Sequence, residues 1–178
     1  MRIISGKYKN RKIEFSKLRS RPTTDFAKES LFNLLQNNYD LSETIVLDLF
    51  AGTGNISYEF ISRGSTKTIA IDSNLLCVNF MKKMKKKLEM ENLDIYYSTA
   101  IKHIYQTKYK FDIIFIDPPY SFDQKKYNEI LDTIYKKNIL KKEGSIVVEH
   151  SKLINFNMHT QFLEQRKYGK VHFSFLTQ

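Results

Sequence analysis

Val46-Leu47-Asp48-Leu49-Phe50-Ala51-Gly52-Thr53-Gly54-Asn55 runs from a short apolar segment into a glycine-rich turn that opens a helix. Glycines at such a turn let backbone amides approach a ligand where a side chain would block it. A dinucleotide site would want a third glycine three residues after Gly54, and Ser57 stands there, which weakens a dehydrogenase reading. Asp48, at the strand end ahead of the glycines, is ill placed for a pyrophosphate and well placed for a cationic amino-acid moiety. Asp72 ends the next apolar run, Ala70-Ile71-Asp72, where a carboxylate accepts hydrogen bonds from both ribose hydroxyls.

Working outward from this turn, apolar runs alternate with amphipathic stretches, the pattern of βα units on a mainly parallel sheet. Strands are expected over residues 45–50, 67–71, 94–98, 111–116 and 145–149, with helices near 55–63, 74–91, 100–106 and 124–138. Cys77, Met81, Met84 and Leu88 form one apolar stripe on the second of these helices and belong to the core. Residues 161–168 and 171–176 flank Gly169 and read as an antiparallel hairpin closing one sheet edge. Upstream, Pro22-Thr23-Thr24-Asp25 reads as a helix start, followed by Ala27, Leu31, Leu34 and Leu35 at helical spacing to about residue 38.

Residues 1–22 carry eight basic side chains against one acid, Glu14, interleaved with Ile3, Ile4, Tyr8 and Ile13. That pattern predicts short extended segments packed on the body with basic side chains outward. The whole chain has 29 Lys and Arg against 19 Asp and Glu, a formal charge of +10, which favours a polyanionic partner. The 178 residues suit one compact core. Cys77 is the only cysteine, so an internal disulfide is excluded, and the four histidines lack metal-ligand spacing, so no bound metal is expected. With no apolar run of membrane-spanning length and no secretory start, a cytoplasmic protein without membrane contact is expected.

The Asp48-to-Gly54 turn with the strand-end acid Asp72 resembles the S-adenosylmethionine site of class I methyltransferases. The resemblance implies a Rossmann-like fold with a seven-stranded sheet. It also implies a cofactor pocket drawn from Asp48, Phe50, Ala51, Gly52, Thr53, Gly54, Asn55, Asp72, Ser73, Thr99 and Ala100. Thr99-Ala100 stands where many such enzymes place an acid against the adenine amino group, so a hydroxyl or backbone amide takes that role here.

Asp112-Ile113-Ile114-Phe115-Ile116-Asp117-Pro118-Pro119-Tyr120 is a strand ending in an acid, with two prolines that forbid helix or ladder continuation. Asp117 and the Pro118 carbonyl can hold the hydrogens of an exocyclic amino group, and the Tyr120 ring offers a face for an extruded base, with Pro119 fixing the bend. An amino nitrogen conjugated with a ring is a poor nucleophile until such acceptors favour a tetrahedral geometry. The carboxylate's attraction then grows as positive charge develops on nitrogen.

Arg2-Ile3-Ile4-Ser5-Gly6, Arg21-Pro22-Thr23-Thr24-Asp25 with Glu29-Ser30-Leu31-Phe32-Asn33, the Leu47–Gly54 turn, Ser62-Arg63-Gly64 and the Asp117 motif follow the order and spacing of the RsmD family. By these residues the chain is identified as a member of that family of 16S ribosomal RNA guanine-N2 methyltransferases. The resemblance implies methylation of a guanine in small-subunit RNA, within the subunit or an assembly intermediate, by a monomer. It further implies that residues 1–40 are a basic extension and helix for RNA docking, with Arg2, Arg11, Lys12, Arg21, Thr23 and Lys28 as contacts, and that residues 41–178 form the methyltransferase domain. Where the family often has Arg-Val-Arg-Glu, this chain has Phe26-Ala27-Lys28-Glu29, and lysine lacks the bidentate fork of arginine. The competing readings are an adenine-N6 methyltransferase, which would use the same amino-group chemistry but needs a target-recognition region that does not fit in 178 residues, and a noncatalytic RNA-binding protein on the same scaffold. The lysines at 82, 83, 85, 86 and 87 read as a solvated helix face.

Overall fold

A computed structural model describes residues 1–14 and 25–178. Its centre is one seven-stranded sheet in the order β3-β2-β1-β4-β5-β7-β6. β1 (Ile45–Asp48), β2 (Lys67–Asp72), β3 (Leu93–Tyr97), β4 (Phe111–Ile116) and β5 (Leu140–His150) are parallel, and β6 (Phe162–Tyr168) and β7 (Val171–Thr177) add an antiparallel hairpin. Strands buried on both faces need continuous apolar runs, which is why β1 and β4 read Ile-Val-Leu-Asp and Phe-Asp-Ile-Ile-Phe-Ile.

Alternate strand residues feed two cores. Leu47, Ile114, Ile116 and Val148 pack against Ala100 and Ile104 of α4 (Ala100–Gln106) and Ile130, Leu131 and Ile134 of α5 (Gln124–Lys137). On the other face, Val46, Ile113, Phe115 and Val147 meet Leu31, Phe32 and Leu35 of α1 (Asp25–Asn38) and Ile56 and Phe60 of α2 (Asn55–Ser62). A third cluster joins Val78, Met81 and Met84 of α3 (Leu75–Leu88) to Ile3 and Ile13 of the N-terminal segment. Cys77 is buried as the stripe predicts, and burial pushes its thiol up to about 11.

The N-terminal segment folds back on itself through an antiparallel bridge between Arg2 and Lys12. It lies along α2, with Gly6 at φ +80°, where a Cβ would sit 1.7 Å from the Ser62 carbonyl oxygen. Only glycine permits that approach.

Three boundaries differ from the sequence reading by two residues or more. β1 ends at Asp48 rather than at residue 50, because the chain turns toward its glycines there, although Leu49 still donates to the Phe115 carbonyl. β5 begins at Leu140 rather than 145. Its first residues, Lys141, Lys142 and Glu143, hide the strand behind polar side chains, and a register shift separates the Phe111–Leu140 pair from the rest of the ladder. The helix read at 74–91 is shorter, with Asn74 capping it and Glu89 ending it in a left-handed conformation. Among the described residues, no helix is long and apolar enough to cross a membrane.

Candidate active site

The strand order reverses direction between β1 and β4, since β1 leads outward to β2 and β3 while β4 leads to β5. At such a switch point the loops after the strands diverge and leave a crevice. Asp48 ends β1 and Asp117 follows β4, so the two acids named from sequence flank this crevice.

Asp48 is buried, with one oxygen accepting a 2.6 Å hydrogen bond from the Ser57 hydroxyl. Ser57, the residue that breaks the dinucleotide glycine pattern, is thus what holds this carboxylate. The other oxygen, Oδ1, is buried without a hydrogen-bond partner among the described residues. Burial pushes the Asp48 carboxyl up to about 7, opposed by Ser57 and reinforced by the Asp72 charge. An orphaned buried carboxylate oxygen is costly and calls for a cationic or donor group.

The glycine turn is shaped by Asp72. Its Oδ2 accepts the Gly52 amide at 2.7 Å and its Oδ1 the Asn74 amide at 2.7 Å, which leaves further lone pairs for a ligand. Burial raises this carboxyl, and the two amides pull it back. Gly54 opens α2 at φ +87°, and a Cβ there would lie 2.6 Å from the Tyr58 ring. The turn therefore presents bare backbone at Gly52 and Gly54.

Across the crevice, Ile116 pairs with Val148, so Asp117 stands beside Glu149 at the tips of adjacent strands. Burial raises the Asp117 carboxyl well above the usual carboxylate range, and the charges of Glu149 and Asp48 push in the same direction. Three acids on three adjacent strands thus crowd one end of the sheet. The Pro119 carbonyl accepts the Phe122 amide at 2.9 Å, which closes the bend after the two prolines. Tyr120 on that bend is 72% exposed. Tyr127 of α5 braces the site by donating to the Glu149 carbonyl at 3.2 Å.

A cleft of about 290 Å³ continues the crevice toward α4 and α5. Of the residues expected from sequence, Phe50, Ser73, Thr99 and Ala100 line it. Thr99 also caps α4 by accepting the Lys102 amide, which turns its backbone toward the cleft. Sequence reasoning missed Leu49, Ser98 and Ile101, and also Phe122, just ahead of α5, with Lys126, Glu129 and Ile130 from its first two turns. Phe50 and Phe122 meet edge to face with centroids 5.6 Å apart, and the Lys126 ammonium lies 4.9 Å from the Phe122 centroid. An aromatic residue two positions beyond Tyr120 was the available signal. Glu149 was also missed, although an acid ending the apolar run Ile146-Val147-Val148 is unusual for a buried strand.

The residues expected to dock RNA divide. Arg11 and Lys12 are exposed, and Arg2 is exposed while paired to Asp25 at 2.8 Å. Arg21 and Thr23 lie outside the described residues. Lys28 is a correction: it is fully buried, 3.3 Å from Glu59, and donates to the Arg2 carbonyl and to Asn55 Oδ1. It cannot reach a phosphate. Glu59 also accepts the Ile4 and Ser5 amides and the Arg63 guanidinium, so this buried network ties the N-terminal segment to α1 and α2. Asn55, expected at the cofactor, spends its side-chain carbonyl on Lys28 instead. The α3 lysines 82, 83, 86 and 87 are exposed. Among the described residues no group of three or more His, Cys, Asp or Glu is placed to hold a metal ion.

A family model described as conserved hypothetical protein 95 matches residues 1–177. The chain is 31% identical over 179 residues to ribosomal RNA small subunit methyltransferase D of Buchnera aphidicola subsp. Baizongia pistaciae, covering 98% of this chain and 90% of that protein. It is 29% identical to the protein of the same name in Escherichia coli strain K12, with 84% and 74% covered. A solved Escherichia coli structure described as a methyltransferase, yhhF, superposes with a TM-score of 0.86 at 26% identity and covers 100% of this chain and 97% of that one.

Proposed function

We propose a function from one premise: this chain belongs to the RsmD family of methyltransferases, whose model spans it almost end to end. We read it as an S-adenosylmethionine-dependent enzyme that methylates the exocyclic N2 of a guanine in small-subunit ribosomal RNA. The observation that carries this reading is the shared crevice: the orphaned Asp48 carboxylate and the glycine turn on β1 lie on one side of the switch point, and Asp117 lies on the other.

The residues fit the cofactor. Asp48 Oδ1 suits the ammonium of the methionine moiety, Asp72 the ribose hydroxyls, and the cleft behind Phe50 and Phe122 a purine. When bound, S-adenosylmethionine supplies a methyl group activated by a sulfonium, which leaves as the neutral thioether. Asp117 accepts one hydrogen of the guanine amino group and the Pro118 carbonyl the other. The nitrogen lone pair is thereby freed from the ring and would be presented to the methyl group that the cofactor supplies. As the nitrogen–carbon bond forms, positive charge on nitrogen strengthens its attraction to Asp117, which stabilises the transition state more than the ground state. The amino proton then leaves to Asp117 or solvent. Tyr120 stacks the extruded base while Pro119 holds the bend.

Residues 1–40 act in this reading as the RNA-docking extension, through Arg2, Arg11 and Lys12 among the described residues. The direct test is transfer of labelled methyl to small subunits lacking the modification, with the product nucleotide mapped by mass spectrometry. Asp117→Asn is expected to lower kcat by roughly 10²–10³-fold and to leave S-adenosylmethionine affinity within about twofold. Methylation of duplex DNA but not of subunits would favour an adenine-N6 enzyme instead.

A further inference from the structure

The RNA-docking candidates read from sequence all lie in the first 28 residues, and one of them is sealed in the core. The opposite side of the crevice carries a surface that none of them includes. β7 pairs antiparallel to β5 with His172 opposite His150, so the turn joining β6 to β7 projects past the C-terminal end of β5. Asp117 stands at that same end, and only β5 separates its strand from β7. Two strand spacings put β7 roughly 10 Å to the side of Asp117, and the turn lies three to four residues beyond that level, roughly another 10 Å along the strands.

The turn holds Lys167, Tyr168, Gly169 and Lys170, with both lysines exposed. Tyr168 is anchored on Phe173 at 5.9 Å and meets Phe26 edge to face at 6.0 Å. Phe26, at the start of α1, is 70% exposed, a large apolar ring left in water beside the base of this turn. Asp25 is paired to Arg2 and Glu164 to Arg166, and Lys167 and Lys170 outnumber the exposed Glu29 one turn along α1, so the net charge of this rim is positive. Through Asp25 the rim runs continuously from Arg2 and Lys12 to Lys170.

We infer that the β6–β7 turn, together with Phe26, is a second RNA-docking arm that grips the single-stranded nucleotides next to the target base. Exposed aromatic rings flanked by lysines suit single-stranded nucleic acid, because bases stack on the ring while phosphates meet the ammonium groups. A strand whose target base enters at Asp117 must pass this turn on one side and Arg2 with Lys12 on the other. Phe26 carries a neighbouring base, and Lys167 and Lys170 carry the adjoining phosphates. This arm rests on the RNA-methylating reading above, and its test separates the two.

The test uses the full chain with a small-subunit RNA fragment and with unmethylated small subunits. Lys167→Ala/Lys170→Ala is expected to flatten the dependence of log affinity on log salt by about 1.4, two single-strand phosphate contacts at roughly 0.7 each. Phe26→Ala is expected to raise KM for the subunit about fivefold or more with kcat held and the salt slope unchanged, and Phe26→Trp to restore it. All three positions are exposed, and thermal melting and S-adenosylmethionine binding check that the variants remain folded. Unchanged salt slope and unchanged KM in both variants overturn the arm while wild-type activity keeps the parent reading. A defect confined to assembled subunits, with the RNA fragment bound normally, overturns it in favour of a protein contact. Absence of methyl transfer to subunits by the wild-type chain overturns the parent reading itself.

Discussion

Lys28 and Glu59 face each other at 3.3 Å with neither side chain exposed to solvent. Burial lowers the Lys28 ammonium from its ordinary range, and Glu59 opposes that shift. Removing Lys28 strips Glu59 of one buried cation while Arg63 stays at 3.0 Å, which costs about 3 kcal/mol, the low end for breaking a buried pair. Lys28→Met is therefore expected to lower the unfolding free energy by that amount in urea titrations. Because Lys28 does not reach RNA, the salt slope of RNA binding should stay at its wild-type value while the variant is folded. A flattened slope at full stability would assign Lys28 to phosphate after all.

The unpartnered Asp48 oxygen makes the ligand-free protein pH-sensitive. The carboxyl titrates near 3.8 when the chain is unfolded and at about 7 when folded, so the folded state binds the extra proton between those values. Its contribution is fully present below about pH 4 and is lost as pH rises through about 7, with a ceiling of ~4 kcal/mol. Buried His103 and His150, held below the usual histidine range, act in the opposite sense. The difference between wild type and Asp48→Asn isolates the effect: melting curves from pH 5 to pH 8 should fall more steeply for the wild type. Parallel curves would mean that Asp48 is solvated or paired in solution.

Asp117 must be ionised to accept the amino hydrogen, and its neighbour Glu149 helps hold it protonated. The rate of methyl transfer should accordingly rise with pH along an acid limb set by this coupled pair. Glu149→Gln removes a like charge from the next strand and is expected to move that limb of kcat/KM toward lower pH. Movement toward higher pH, or none, would show that Glu149 does not sense Asp117.

Much of this was legible in the sequence because parallel strands buried on both faces leave little choice. Phe111–Ile116 was bounded at both ends by its apolar run and Asp117, and Ala100–Gln106 by the cap at Thr99 and the polar residues that follow. Asp48 and Asp117 were placed on one crevice by topology alone, since sequential βα units fix which strand ends meet. What escaped was everything set by contact across the sheet. Glu149 gained its meaning only from register with Ile116, and Phe122 with Lys126 only from the way α5 folds back over Phe50. Lys28 misled because a lysine beside a basic segment looks solvated, and the acid that buries it lies 31 positions away on another helix.

The last strand of the chain is not the last strand of the sheet. β7 slots between β5 and β6 and brings Phe173, Phe175 and Leu176 into the cores on both faces. During synthesis the flank of β5 must wait, unpaired and sticky, until residues 171–177 have followed it out of the ribosome. Removing residues 171–177 would thus take out an interior strand and leave β6 stranded beyond it, whereas β6 itself lies at the rim.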